Sequence, residues 1–139
     1  MAWSRIIIIA GIIILIGIQF IPVDRTNPPT SGEFKAPDQV KAVIQQSCFD
    51  CHSHETDWPW YSFIAPASWV VIRDVNEARE HLNFSRWDTL TAEEREDMQE
   101  EIWEEVSEGE MPLSMYTFAH PGTKPTEEDK QILYEWVVD

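Results

Sequence analysis

The sequence predicts an all-α domain of about four helices joined by long loops and preceded by one N-terminal transmembrane helix. Three observations carry that expectation. Beyond residue 37, four stretches repeat apolar residues at helical spacing behind recognisable start and stop signals. No stretch alternates apolar and polar residues over the length of a strand. Near the N-terminus lies an unbroken apolar run of a kind that globular helices do not carry.

That run is Ile6 to Val23, apolar except for Gln19. Spanning ~30 Å of hydrocarbon takes ~20 residues, so the run is just long enough, with Trp3 and Phe20 suited to the two interfaces. A cleaved signal peptide would have a shorter apolar stretch followed by a small-x-small site. The sequence Gln-Phe-Ile-Pro-Val-Asp supplies no such site and no cysteine to take a lipid. The reading is therefore an uncleaved signal anchor over 6–23. Arg5 and the α-amino group, with no competing basic cluster just beyond the span, keep residues 1–5 in the cytoplasm and put the rest outside. Residues 24–36, DRTNPPTSGEFKA, have linker composition with extended character at Pro28-Pro29, so the folded domain is expected over 37–139.

Within that domain, Asp38 caps or opens the first helix, with Val40, Val43, Ile44 and Ser47 on one face. A second follows Pro66, where Trp69, Ile72 and Asn76 form one stripe and Val71, Val75, Ala78 and Leu82 another, so burial on more than one side is expected. The third has the clearest start: Thr91 with Glu94 reads as a capping box, Met98, Ile102 and Val106 repeat every fourth residue, and Gly109 ends it. Thr126 with Glu127, Glu128 and Asp129 opens the last, whose acidic first turn suits the helix dipole and whose Ile132, Leu133, Trp136 and Val137 form an apolar face. Long loops hold Trp58-Pro59-Trp60-Tyr61 and the stretch Met111 to Pro125.

A chain of 139 residues that spends its start on an anchor has room for one modest core, which a bulky cofactor would help to fill. Seven Trp and 12% aromatic residues argue against a disordered tail. The 25 acidic residues outnumber the 10 basic ones, and because only Arg5 among them precedes Asp24, the remainder of the chain carries −16. Such a field repels nucleic acid and anionic lipid and steers a basic partner; as a plain structural feature it is the solvated surface of a domain.

The chemistry is carried by Cys48-Phe49-Asp50-Cys51-His52, the only two cysteines followed directly by a histidine. CxxCH is the attachment signature of c-type haem. A helical turn at this spacing holds two thiols where they can add to the two vinyl groups, and the adjacent imidazole then reaches the iron. Rival readings fit less well. A thioredoxin-like CxxC needs a βαβ pattern, which is absent. A zinc site drawing on Cys48, Cys51, His52 and His54 would crowd adjacent ligands at one tetrahedral centre. A Cys48–Cys51 disulfide would close a tiny, strained loop and stabilise little.

Opposite His52, a methionine would raise the reduction potential. The candidate is Met111, in Gly109-Glu110-Met111-Pro112, which Pro112 keeps out of helical geometry; Met115 is its competitor, and Met98 reads as core. His54 lies too near His52 to reach the other haem face, while His81 and His120 remain rivals for a bis-histidine site. Trp58, Trp60, Tyr61, Phe63, Trp69 and Trp87 read as pocket wall and core, with Tyr61 or a Trp ring nitrogen as a donor to a propionate.

Together, CFDCHS from Cys48, WPWYSFIAPASW from Trp58, LNFSRW from Leu82 and GEMPL from Gly109 resemble the bacterial haem-binding domain family of small, often membrane-anchored c-type cytochromes. The resemblance runs from about Pro37 to the C-terminus. It implies one covalent haem c at Cys48 and Cys51, His52 as axial ligand, and a domain in the periplasm of a bacterium. The order of elements is also similar to class I cytochromes c, in which the first and last helices cross beside the haem; that would set Val40 and Val43 against Leu133 and Trp136. The expected function is electron transfer between redox partner proteins at the periplasmic face of the inner membrane. The alternative is a gas sensor or peroxidase-like domain with an open sixth position. No catalytic constellation beyond the haem stands out, which favours carrier over enzyme.

Overall fold

The computed structural model describes residues 2–138. The first helix, α1, spans Ala2–Gly17 and tightens into a 3-10 turn at Ile18–Phe20. The window Trp3–Phe20 has a mean hydropathy of 2.1 and is not covered by the rest of the protein, so this helix is long and apolar enough to cross a membrane. The helix stops at Phe20 rather than continuing to Val23. Pro22 has no N–H for the ladder and disfavours helical geometry in the residue before it, and Ile21 is accordingly extended.

Beyond it lie α2 (Asp38–Ser47), α3 (Phe49–His52), α4 (Ala67–His81), α5 (Ala92–Glu108), α6 (Ser114–Ala119) and α7 (Glu127–Val138), with 3-10 turns at Trp60–Phe63 and Phe84–Thr89. No strand occurs among the described residues, and the fold is all-α. The four expected helices are α2, α4, α5 and α7. The additions are α3, a single turn at the CxxCH segment, and α6, which interrupts the expected loop from Met111 to Pro125. Six residues without one fully buried position offer no periodicity by which α6 could be read.

The start signals act as their chemistry requires. Glu94 N–H donates to Thr91 Oγ1 at 3.2 Å and Thr91 N–H to Glu94 Oε2 at 2.7 Å, completing the capping box of α5. Thr126 and Asp129 repeat the arrangement at α7. Gly109 ends α5 at φ +82°, a left-handed conformation costly for other residues. The N–H groups of Gly109, Glu110 and Met111 all converge on Glu105 O, which curls the chain back over the last turn of α5.

Helix α7 packs on both α2 and α5, and α3 packs on α4. Val40, Val43, Ile44, Ile102, Val106 and Leu133 share one core with Phe34, Phe84 and Trp87, and Trp136 packs at its edge. The expected meeting of the first and last domain helices is thus present. On α4 Val75 and Ile72 are buried and Val71 and Ala78 half-buried, whereas Asn76 faces solvent.

The stretch 24–36 forms no helix or strand, and it is strapped to the domain rather than free. Asn27 Nδ2 donates to Thr56 O at 2.9 Å, Arg79 Nη1 to Thr26 O at 3.0 Å, and Gly32 N–H to Ser85 O at 3.1 Å. A Cβ at Gly32 would overlap the exposed Asp88 carboxylate, so a larger residue there would require that side chain to move aside. Phe34, 6% exposed, sits edge-on to Phe84 and Trp87 with ring centroids 4.8 and 5.2 Å away. Packing therefore begins before the expected boundary at Pro37. Phe34→Ala is expected to cost about 3–5 kcal/mol in chemical denaturation, as for other buried aromatics, while the neighbouring exposed Lys35→Ala stays within about 0.5 kcal/mol.

Candidate functional site

Helix α2 ends at Ser47 because Cys48 leaves helical geometry, at φ −124° and ψ −32°. The chain then turns once more: Cys51 N–H and His52 N–H both donate to Cys48 O, at 3.2 and 2.9 Å. This turn is held from three sides. Ser53 Oγ donates to Phe49 O at 2.7 Å, Thr56 Oγ1 donates to Asp50 O at 2.7 Å, and Arg79 Nε donates to Ser53 O at 2.7 Å.

The orientation of His52 follows from the end of α4. Its Nδ1 lies 3.1 Å from both Ala78 O and Leu82 O, so one N–H is shared between two carbonyls at the helix terminus. Burial pushes the His52 pKa below its ordinary value, against the opposing pull of these two bonds, and keeps the imidazole neutral. With the proton on Nδ1, Nε2 carries the lone pair a metal would use, and the carbonyls fix the ring plane. Both cysteines are free thiols. Burial raises Cys48 to about 12 and Cys51 to about 11, so both stay protonated.

Cys48, Cys51 and His52 line a cavity of about 440 Å3 between α2, α4, α5 and the segment leading into α6. That size falls within the roughly 300–1,000 Å3 of cofactor sites. Leu82 and Ala78 from α4, Met98, Ile102 and Val106 from α5, and Phe84 give it apolar walls. Met111, Pro112 and Leu113 close one side, and Asp74, Glu77, Glu101 and Glu105 supply carboxylates. Ser47 Oγ, also on the wall, is buried without a partner among the described residues. A neutral imidazole, two thiols, a thioether and apolar walls form a donor set that fits haem iron and its macrocycle. Among the described residues no three His, Cys, Asp or Glu side chains gather as a metal site, so the zinc reading has no geometry to rest on.

The two methionine candidates separate here. Met111 lines the cavity, whereas Met115 is 75% exposed on α6 and does not. Met98, read as core, belongs to the cavity wall. Among the histidines, His54 is occupied by Pro29 O and Asn83 Nδ2, and His120 by Tyr116 O. His81 lines the cavity but is paired with Glu101 Oε1 at 2.6 Å.

The aromatic residues bear out the expectation of core in part and that of pocket wall not at all. Trp87 is core, Trp60 and Phe63 are exposed, and none of the six assigned to wall or core is among the cavity-lining residues. Tyr61 OH lies 3.5 Å from His120 Nε2, and the ring nitrogens of Trp58 and Trp69 are buried without a partner among the described residues. The aromatics that do reach the cavity are Phe84 and Tyr116, and Tyr116 donates to Asp50 Oδ2 at 2.7 Å. Burial, followed by that bond, raises its pKa and keeps it a donor. Its sequence signal was slight, since α6 itself was not legible.

The haem-binding domain family model matches residues 13–139. No curated protein and no solved structure matches the chain.

The depressed pKa of His52 gives a signed expectation. In the haem-free chain, the stability due to its neutral burial is present above the ordinary value of 6.5 and is lost as pH falls below it. Denaturation series across that window should show a slope toward lower stability in acid that is reduced in His52→Gln; equal slopes would mean that His52 is not buried neutral.

Proposed function

The chain belongs to the haem-binding domain family, and from that premise we propose that it is a membrane-anchored monohaem c-type cytochrome carrying electrons at the periplasmic face of a bacterial inner membrane. The observation that carries this reading is the convergence of Cys48, Cys51 and His52 on one apolar cavity, with His52 Nδ1 bound to α4 and Nε2 left for iron. In this reading Cys48 and Cys51 would hold the cofactor through their sulfurs, and His52 and Met111 would be the side chains that ligate its iron. Haem held by His and Met supplies a ferric–ferrous couple at raised potential.

The remaining chemistry belongs to the chain. Ala78 and Leu82 carbonyls hold the imidazole plane, so the ligand need not reorient when charge changes. Leu82, Phe84, Ile102 and Val106 exclude water from the site. The convergence on Glu105 O fixes the backbone of Met111. Asp74, Glu77, Glu101 and Glu105 at the cavity favour redox partners that present basic surfaces. The apolar helix α1, with Arg5 on its N-terminal side, supports a single-pass anchor with residues 1–5 in the cytoplasm.

The test is the optical spectrum of the chain matured in a periplasm that has haem-attachment machinery. Sharp low-spin reduced bands, haem that survives denaturation and a ferric sulfur-to-iron band are expected. Met111→Ala should lose that band, lower the potential and admit carbon monoxide, whereas Met115→Ala should keep the parent spectrum. A high-spin parent that takes up cyanide or carbon monoxide would favour the gas-sensing or peroxidase-like alternative; a colourless protein would remove haem attachment altogether.

A further inference from the structure

Gln19 is the one polar side chain in the apolar run, and its amide is committed on both sides. Its Nε2 donates to Ala65 O at 3.0 Å and its Oε1 accepts from Ala65 N–H at 2.9 Å, while Nε2 also reaches Leu15 O at 2.9 Å. The 3-10 turn that continues α1 is thereby clamped to the loop that leads into α4. That loop exposes large apolar side chains: Trp60 is 75% exposed, Phe63 58% and Ile64 48%. Phe20, beside Gln19, is 81% exposed.

We propose that the loop Trp60–Ile64 is seated in the lipid headgroup region where α1 leaves the membrane, fixing the haem domain on the bilayer in one orientation. This rests on the membrane-anchored reading of α1. If Trp3–Phe20 crosses the hydrocarbon, Gln19 lies at its outer boundary, and a backbone hydrogen-bonded to Gln19 lies at that depth too. Trp60 and Phe63 are then at the level that aromatic rings prefer, with apolar faces toward the acyl chains. Arg25 stacks its guanidinium 4.5 Å from the centre of the Phe63 ring and donates to Ser62 O at 3.1 Å, which sets a cation beside the ring at phosphate level. The acidic domain repels anionic lipid, so the matching surface is a zwitterionic one.

The full haem-loaded chain, reconstituted in phosphatidylcholine vesicles containing a phosphatidylcholine with a photoactivated carbene precursor near the top of its acyl chain, reads this directly by mass mapping of lipid adducts. Adducts are expected on α1 and on the peptide carrying Trp60 to Ile64, and Gln19→Leu should lose the second set while keeping the first. Adducts on α1 alone would assign the exposed loop to a protein partner or a second copy and overturn the proposal without touching the anchor. Absence of adducts on α1 would instead overturn the anchor itself. A loop labelled equally in Gln19→Leu would overturn the clamp as the cause of the seating.

Discussion

The docking of one short turn against the end of one helix is the constraint on which the site depends. At the end of α4 two carbonyls meet the Nδ1 of His52: Leu82 O, just past the last turn, and Ala78 O, which also accepts the Leu82 N–H. Arg79, from the same stretch of α4, reaches Ser53 O, Thr26 O, Asn27 Oδ1 and Thr56 Oγ1. One end of α4 thus holds the CxxCH turn, the residues that follow it and the strap that precedes the domain. The orientation of the imidazole and the closure of the chain around it have a common origin.

The interior divides its materials by task. Rings meet rings around Phe34, Phe84, Trp87 and Trp136, edge-on at Phe34 and stacked between Phe84 and Trp87, within the core that α2 and α7 share. The cavity wall instead takes flexible or aliphatic side chains from α4 and α5, with Phe84 shared between the two regions. Methionine and leucine adapt to an irregular flat guest better than tryptophan does. This explains why a cofactor site in a tryptophan-rich chain is hardly aromatic.

Much of the fold was legible because its signals are local. Thr91 and Glu94 are three residues apart, Met98, Ile102 and Val106 share a stripe, and CxxCH is contiguous. What sequence reading missed depends on contacts between distant segments. Phe34 is a lone aromatic in polar surroundings, and nothing nearby reveals that it enters the core. Met98 looks the same in sequence whether its stripe faces a neighbouring helix or a cavity. Tyr116 is positioned by Asp50, and Gln19 by Ala65, across separations that no periodicity records. Met111 was preferred for its Met-Pro context, and what separates it physically from Met115 is position: it curls onto Glu105 O and lines the cavity, whereas Met115 is exposed on α6.

The strap of residues 24–36 has a consequence for encounter kinetics. A flexible linker of that length would let a tethered domain sample a hemisphere and search for partners by rotation about its stalk. Hydrogen bonds from Asn27, Gly32 and Arg79 remove that freedom, so the cavity that His52 lines moves only as the whole molecule moves. With α1 in a bilayer, as proposed, meeting a partner would become a problem of lateral diffusion in two dimensions, and the heights of the two proteins above the lipid would have to agree in advance.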